Sequence, residues 1–557
     1  MIRLPRPNTD QRNPGRGEPK HDRLQRWAGG VTRQLAMGHT ALFRYHLQPS
    51  TTQEVFTLTK SASSERLNET HDPARPETLD PQDWAAMRAL AHTMVDDAFE
   101  WLETLSQRPV WQPMPDSVKQ HFDSPAPKGP SDPAAVYDDF KRNILPYPMG
   151  NPHPRFWAWY MGSGTVMGAL ADFLAAVINP NLGGGNHVAN YVEAQVISWL
   201  RDMIGFPGGA SGLLTSGGSM ANFIALAVAR NARGGTDVHH RGVRSASGPL
   251  VAYASREVHS CMKKAVETLG LGSEGLQLIR TKADYTIDVD ELARQITADR
   301  EAGKVPFCVV ANAGTINSGA VDDLQALADL CQAEGLWFHV DGAIGAVGVL
   351  GETVRGQLRG MERADSVALD LHKWMHIPFE AGAVIVRDRQ VHRDTFCVTP
   401  EYLQHDEEGH GLAAGRHWFS EYGLQLTRQF RALKVWMSIK EHGLDRFGRM
   451  IDRNVAQARY LGELIDKQKE LELTAPIGLD IVCFRYNPGG LDSEALNALN
   501  QQLLIDLQES GVAAPSYTTL GDAYCLRVAI ANHRSRFADF DVLVEKVLEI
   551  GRGLAAN

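Results

Sequence analysis

Between Gly208 and Leu371 the chain alternates short apolar runs with amphipathic stretches, and this alternation restricts the fold more than any other feature. Residues 212–215, 250–254, 276–280, 306–312, 336–340 and 366–371 read as strands, and 383–387 beyond them reads as another. Helices are expected between them over 220–232, 259–269, 288–298 and 324–333. Short apolar strands alternating with amphipathic helices specify an α/β fold, a mostly parallel sheet covered on both faces. Ligands of such sheets bind outside the carboxyl ends of the strands. Residues just after each strand are therefore the candidates for chemistry.

Several of these positions suit one ligand. Thr215-Ser216-Gly217-Gly218-Ser219 opens a helix: two glycines let backbone amides approach an anion, and the helix amino terminus adds unpaired donors and a favourable dipole. An ordinary tight turn with a helix cap would read the same way. His259, behind the second strand, is a helix cap or a ring able to stack on a flat heteroaromatic ligand. Thr315, after Asn312-Ala313-Gly314, is a turn hydroxyl or a group at the same edge. Asp341 ends the run 336–340; a buried acid is costly unless paired, so it meets an arginine, or it keeps a ring nitrogen protonated with the small Ala343 under the ring. Lys373 comes thirty-two positions later, in Asp370-Leu371-His372-Lys373-Trp374. Alone it is a surface lysine in a strand connection. At a strand end facing a cavity, desolvation suits an amine that must attack a carbonyl. Phosphate cradle, stacking histidine, buried aspartate and Schiff-base lysine together describe a site for pyridoxal 5'-phosphate, whose electron sink needs a protonated pyridine nitrogen.

The rest of the chain sets bounds. With 557 residues it exceeds one core, and four parts are expected: a loosely packed extension 1–79, a helical arm and linker 80–150, a large domain 151–435 and a small α/β domain 436–557. The arm reads as an amphipathic helix over 80–105 that starts at Asp80 and Pro81. A long helix over 420–442 leaves the large domain, and 480–486 and 524–531 read as strands of the small one. A net charge of -10 argues against a nucleic-acid partner, and no window is apolar enough to span a membrane. Six cysteines without CxxC pairing read as reduced core residues of a cytoplasmic protein, not as a metal site. The cluster Phe156 to Tyr160 is core by default, with Trp157 and Trp159 as pocket candidates beside a glycine-rich turn.

The motifs HPRFWAW at 153, TSGGSMAN at 215, REVHS at 256, AGT at 313, HVDGA at 339, LHKW at 371 and RQFRALKVW at 428 resemble those of the group II pyridoxal-phosphate decarboxylases, which include the aromatic-amino-acid and glutamate decarboxylases. The resemblance runs from about Asp80 to Arg534. It implies fold type I, with a seven-stranded-type sheet, and a homodimer whose sites lie at the subunit interface with the arm packed across it. It also implies roles: Lys373 carries the cofactor, Asp341 meets its ring nitrogen, His259 lies over the ring and Ala343 beneath it. Gly217, Gly218, Ser219 and His372 surround the phosphate, and Thr315 lies close to the ring. Three departures stand out. Asp370 replaces a common asparagine three residues before the lysine. The loop 181–187, with His187, is glycine-rich where animal aromatic enzymes place aromatic side chains. The region 397–423 offers Tyr402 and Tyr422 as the mobile-loop proton donor, while an ungapped match puts Phe419 there, and relatives with phenylalanine at that place form an aldehyde.

The expected reaction is decarboxylation of an L-amino acid, aromatic favoured, to its amine; the alternatives are oxidative deamination to an aldehyde, or an acidic or other substrate. Arg527 is a candidate for the substrate carboxylate, or a structural pair. Aminotransfer and a non-catalytic cofactor-binding scaffold are rival readings. A serine hydrolase is another, because Gly217-Gly218-Ser219-Met220-Ala221 misses the GxSxG elbow by one glycine, but it leaves Lys373 unexplained.

Overall fold

Nine of the strands in the computed structural model's two sheets fall where the apolar runs placed them, and three, Phe156–Trp157, Leu471–Leu473 and Ala514–Leu520, were not foreseen. Residues 78–235, 238–398 and 409–556 are described. Pro81–Asn557 forms one compact unit, whereas the expectation for 1–79 lies almost wholly outside the described residues. The strands are β1 (Phe156–Trp157), β2 (Ser211–Thr215), β3 (Leu250–Ser255), β4 (Leu276–Ile279), β5 (Val305–Asn312), β6 (Trp337–Gly342), β7 (Ser366–Asp370), β8 (Gly382–Val386), β9 (Leu471–Leu473), β10 (Ile481–Tyr486), β11 (Ala514–Leu520) and β12 (Ala523–Ala529).

The larger sheet has seven strands in the order β2-β8-β7-β6-β5-β3-β4. Neighbours from β7 to β4 are parallel, and β8 runs antiparallel to both β2 and β7. The link 371–381 between β7 and β8 carries no crossover helix, so the chain can only fold back beside the strand it has left. That reversal matters for the site. Gly382, at the start of β8, pairs with Thr215 at the end of β2 and with Asp370 at the end of β7, so the glycine turn and the lysine loop leave the sheet side by side. Alternate strand residues divide between two apolar clusters: Leu214, Val309 and Ala311 in one, Leu213, Cys308 and Val310 in the other. This is the two-faced burial expected of a helix-covered sheet.

The smaller sheet has the order β1-β11-β12-β10-β9. Here β1 pairs parallel with β11, so a two-residue segment from far upstream extends a sheet built otherwise from the last ninety residues or so, at the scale of strand pairing. Trp157 of β1 packs with Phe540, ring centroids 4.8 Å apart, inside that sheet's own core.

Two helix expectations are corrected. The helix expected over 420–442 spans only Arg431–His442, preceded by a short turn, Phe419–Tyr422. Between them Arg428 spends its backbone on the loop at 181: its N–H donates to Asn181 Oδ1 at 2.9 Å and its carbonyl accepts from Leu182. Those bonds replace the helical ones. The arm helix spans Trp84–Glu103, and its cap is Asp83, whose carboxylate accepts from the N–H groups of Ala85 and Ala86; none of its residues is buried.

Candidate active site

A cavity of about 370 Å³ opens at the carboxyl ends of β2, β3, β5, β6 and β7, within the usual range of small-ligand sites. Of the candidate residues, Gly217, Gly218, Ser219, His259, Asp341, Ala343, His372 and Lys373 all line it. Thr315 does not. Its hydroxyl bonds Ser318 Oγ at 3.0 Å and accepts from Ala320 N–H, so it ties the loop 313–321 together, while its neighbours Gly314 and Ile316 face the cavity.

The glycine turn is sterically required. A Cβ on Gly218 would stand 2.9 Å from Asp370 Oδ2 and 3.0 Å from Ala343 Cβ, and one on Gly217 would stand 3.1 Å from the His372 ring. The helix Gly218–Arg233 starts at this turn, so its first N–H groups, which have no partners within the helix, emerge at the cavity. His372 Nδ1 accepts from Ala381 N–H at 3.1 Å, which leaves the proton of the neutral ring on Nε2. Burial holds His372 below the ordinary histidine range.

Asp341 is 7% exposed, and burial pushes its carboxyl up. It accepts from Asn222 Nδ2 at 3.0 Å and from Ala343 N–H at 3.2 Å. Asn222 is oriented in turn: its Oδ1 lies 2.9 Å from His339 Nε2, and His339 Nδ1 lies 2.9 Å from Ser366 Oγ. Burial drives His339 down to about 4, so the ring is neutral and the network carries no charge besides the carboxylate. Sequence reasoning missed Asn222 and His339 as site residues, although both stand inside matched motifs, TSGGSMAN and HVDGA. Their spacing to Asp341 was the available signal, since 339 and 341 share a sheet face.

His259 has its ring open to the cavity and its Nδ1 3.2 Å from Cys261 N–H. Lost hydration at the wall lowers its proton affinity, which Asp341 partly restores and Lys373 lowers further. Lys373 Nζ sits 3.0 Å from Asp370 Oδ2, on the same cavity as Asp341.

The substrate-side candidates lie elsewhere. Trp157 is core, its Nε1 donating to Ser535 Oγ at 3.1 Å. Trp159 is 54% exposed and off the cavity wall. His187 precedes the helix Val188–Met203, with Nε2 3.1 Å from the Asn181 carbonyl. The Tyr422 carbonyl meets His392 Nε2 at 2.9 Å. Arg527 is 3% exposed; its Nε donates to the Asn317 carbonyl at 3.1 Å, and Nη1 donates to the Trp159 carbonyl. The reason is common to all five: aromatic or cationic character says nothing about which sheet end a residue reaches. Tyr402 lies outside the described residues. Phe419 is buried in the apolar cluster beneath β2 and β8.

The residues present fit pyridoxal 5'-phosphate: a glycine turn at a helix start for the phosphate, a lysine amine, and a buried carboxylate held by two donors on one cavity. Residues 115–487 match the model of the pyridoxal-dependent decarboxylase conserved domain. An aromatic-L-amino-acid decarboxylase of Bacillus atrophaeus is 36% identical over 83% of this chain and 94% of its own length. A phenylacetaldehyde synthase of Arabidopsis thaliana is 29% identical over 81% of this chain and 93% of its own. The crystal structure of Catharanthus roseus tryptophan decarboxylase with L-tryptophan superposes with a TM-score of 0.76 at 24% identity, covering 85% of this chain and 100% of that one, and so attests the shared fold. A lysine and a buried aspartate on one cavity, in a chain matched over most of its length, identify it as a member of the pyridoxal-dependent decarboxylase family, an amino acid decarboxylase that works with pyridoxal 5'-phosphate.

Proposed function

We propose that the chain converts an aromatic L-amino acid to its amine and carbon dioxide at the cavity lined by Lys373 and Asp341. The observation that carries this reading is that these two side chains, thirty-two positions apart, line a single cavity. Bound there, pyridoxal phosphate supplies the electron sink for the carbon that loses carbon dioxide. Lys373 Nζ is the amine that would hold the cofactor by its aldehyde carbon. Asp341, fixed by Asn222 and Ala343, keeps a proton on the ring nitrogen. A buried acid unpaired in the free cavity gains a charged partner there, which strengthens binding of the ring in its protonated form. Ala343 leaves room for a flat ring, and His259 presents an aromatic face to it. The N–H groups after Gly217, the Ser219 hydroxyl and the Nε2–H of His372 hold the phosphate.

The aromatic substrate class rests on the relatives: proteins named for aromatic-amino-acid, tryptophan and tyrosine decarboxylation are 36%, 27% and 28% identical to this chain. A second copy of the chain completes the site in this reading. Phe173, Val177 and Ile178, on the helix Val166–Ile178, are each at least 60% exposed, and the arm helix has no buried residue, so both present apolar faces that a partner would cover. Six cysteines, five of them buried, suit a reducing compartment such as the cytoplasm. The division at about 150 and 435 into arm, large and small domains belongs to the same reading.

A second product is favoured by one observation. Among the described residues no tyrosine lines the cavity, and a phenylacetaldehyde synthase is among the relatives. In that reading the reaction consumes oxygen and yields aldehyde, ammonia and peroxide with the carbon dioxide. A panel of L-amino acids assayed for carbon dioxide, amine and peroxide decides. Amine without peroxide from tyrosine, tryptophan or phenylalanine is the expected result; aldehyde with peroxide replaces it by the second reading. Carbon dioxide from acidic or diamino acids alone overturns the aromatic assignment.

A further inference from the structure

The cavity receives an anionic cofactor, yet acidic side chains outnumber lysines and arginines on its wall. Asp341, Asp370 and Glu380 line it, and Lys373 is the one lysine or arginine that does so among the described residues. Glu380 is answered by Arg431 at 2.6 Å, and Asp341 belongs to the ring nitrogen in the reading above. Asp370 is different: it meets the phosphate cradle. Its Oδ2 would lie 2.9 Å from a Cβ on Gly218, and its Oδ1 3.5 Å from one on Gly217. It is 4% exposed, and Oδ1 has no hydrogen-bond partner among the described residues. The carboxylate is also wedged from the other side, since a Cβ on Gly382 would stand 2.8 Å from Oδ1.

Every other charge near it is committed or weak. Lys373 Nζ is 3.0 Å away and His372 Nε2 3.8 Å. Burial keeps His372 neutral, and Asp341 and His259 act on the pair only through space. Lys434 is tied to Asp172 and the Phe379 carbonyl. Without cofactor, Lys373 neutralises Asp370. With cofactor held, the lysine nitrogen is bonded to the aldehyde carbon, and a phosphate arrives beside a buried carboxylate. Like charges in contact cannot both stay fully ionised.

We propose that Asp370 and the cofactor phosphate share one proton, so that Asp370 positions the phosphate by a short acid-to-anion hydrogen bond and cofactor capture takes up a proton. This rests on placing the phosphate at Gly217–Ser219. The shared proton joins either a phosphate oxygen or the Asp370 carboxylate and comes from solvent; the bond from Lys373 Nζ to the aldehyde carbon replaces that carbon's bond to oxygen, which leaves as water, and nothing is oxidised. Cofactor binding to the full cofactor-free chain is to be followed by calorimetry at about pH 8, above the phosphate's second ionisation near 6, in two buffers of different ionisation enthalpy. Wild type is expected to take up about one proton more than Asp370→Asn, and to lose up to about tenfold in affinity relative to that variant per pH unit above 7. Equal proton counts and parallel affinity profiles overturn the proposal. Saturable binding abolished by Lys373→Ala but not by changes at Gly217 and Gly218 would refute the phosphate placement instead. Should the asparagine variant not fold, wild type alone decides. Either a phosphorus resonance of a monoanion or an infrared band of a protonated carboxyl appears on cofactor binding, or a dianion resonance without such a band rules the shared proton out.

Discussion

Two ion pairs, each with its cation in one of the matched motifs, behave differently. Arg428 and Glu193 are 1% and 0% exposed, and nearly every polar atom of the pair is used. The guanidinium donates to both carboxylate oxygens and to the carbonyls of Leu182 and Leu214, while Glu193 also accepts from Leu214 N–H. The pair pins the helix Val188–Met203 to β2. Lys373 and Asp370 are instead 19% and 4% exposed, joined by one contact of 3.0 Å, with one carboxylate oxygen unpartnered among the described residues and the amine on a cavity. A saturated pair can only hold structure together. A pair with bonding capacity left over can exchange partners when a ligand arrives, and that is what chemistry requires.

The contrast can be broken from either side. The largest effect is expected for Lys373→Ala: no borohydride-fixed cofactor and no carbon dioxide above background, read by mass spectrometry and gas release. Cofactor that remains covalently fixed would show that the unsaturated pair is not the reactive one. Next is Glu193→Gln, which leaves Arg428 charged and buried; a stability loss of about 3–5 kcal/mol is expected in denaturant titration, with cofactor capture kept by the folded fraction. Loss of capture at unchanged stability would reverse the roles assigned to the two pairs.

The smallest effect sharpens the rule with an intermediate case. Asp480 is 0% exposed and accepts the Tyr160 hydroxyl on both oxygens at 3.0 Å, with no ion pair of its own among the described residues. Burial pushes its carboxyl up to about 7. Between about pH 4 and 7 the folded chain therefore keeps a proton that the unfolded chain has released, so stability from this group falls as pH rises through that window. Asp480→Asn removes the dependence, flattening the slope of the unfolding midpoint against pH by at most about 4 kcal/mol in total. An unchanged slope would mean that this carboxylate ionises freely when buried.

Much of the candidate site was legible because the residues that line its cavity follow strands that periodicity finds, and strand ends in such a sheet converge on one edge. Lys373, Asp341, Ala343, His259 and the glycine turn were reached this way. Thr315 was misplaced by the same rule, since a residue one step along a tight loop turns inward to bond its own backbone. Trp157 and Arg527 were misplaced because both are defined by the smaller sheet, and β1 and β11 were not recognised as its strands.

What the sequence by itself determined is the alternation of strand and helix and the order of reactive residues along the sheet edge, because burial on both faces of a strand writes itself into consecutive residues. Tertiary structure alone decided that β8 runs backwards, that 423–430 is not helix, and that Asn222 and His339 orient Asp341. Each of those depends on which distant group takes a backbone or side-chain hydrogen bond, and desolvated polar groups settle that choice only when the chain has closed around them.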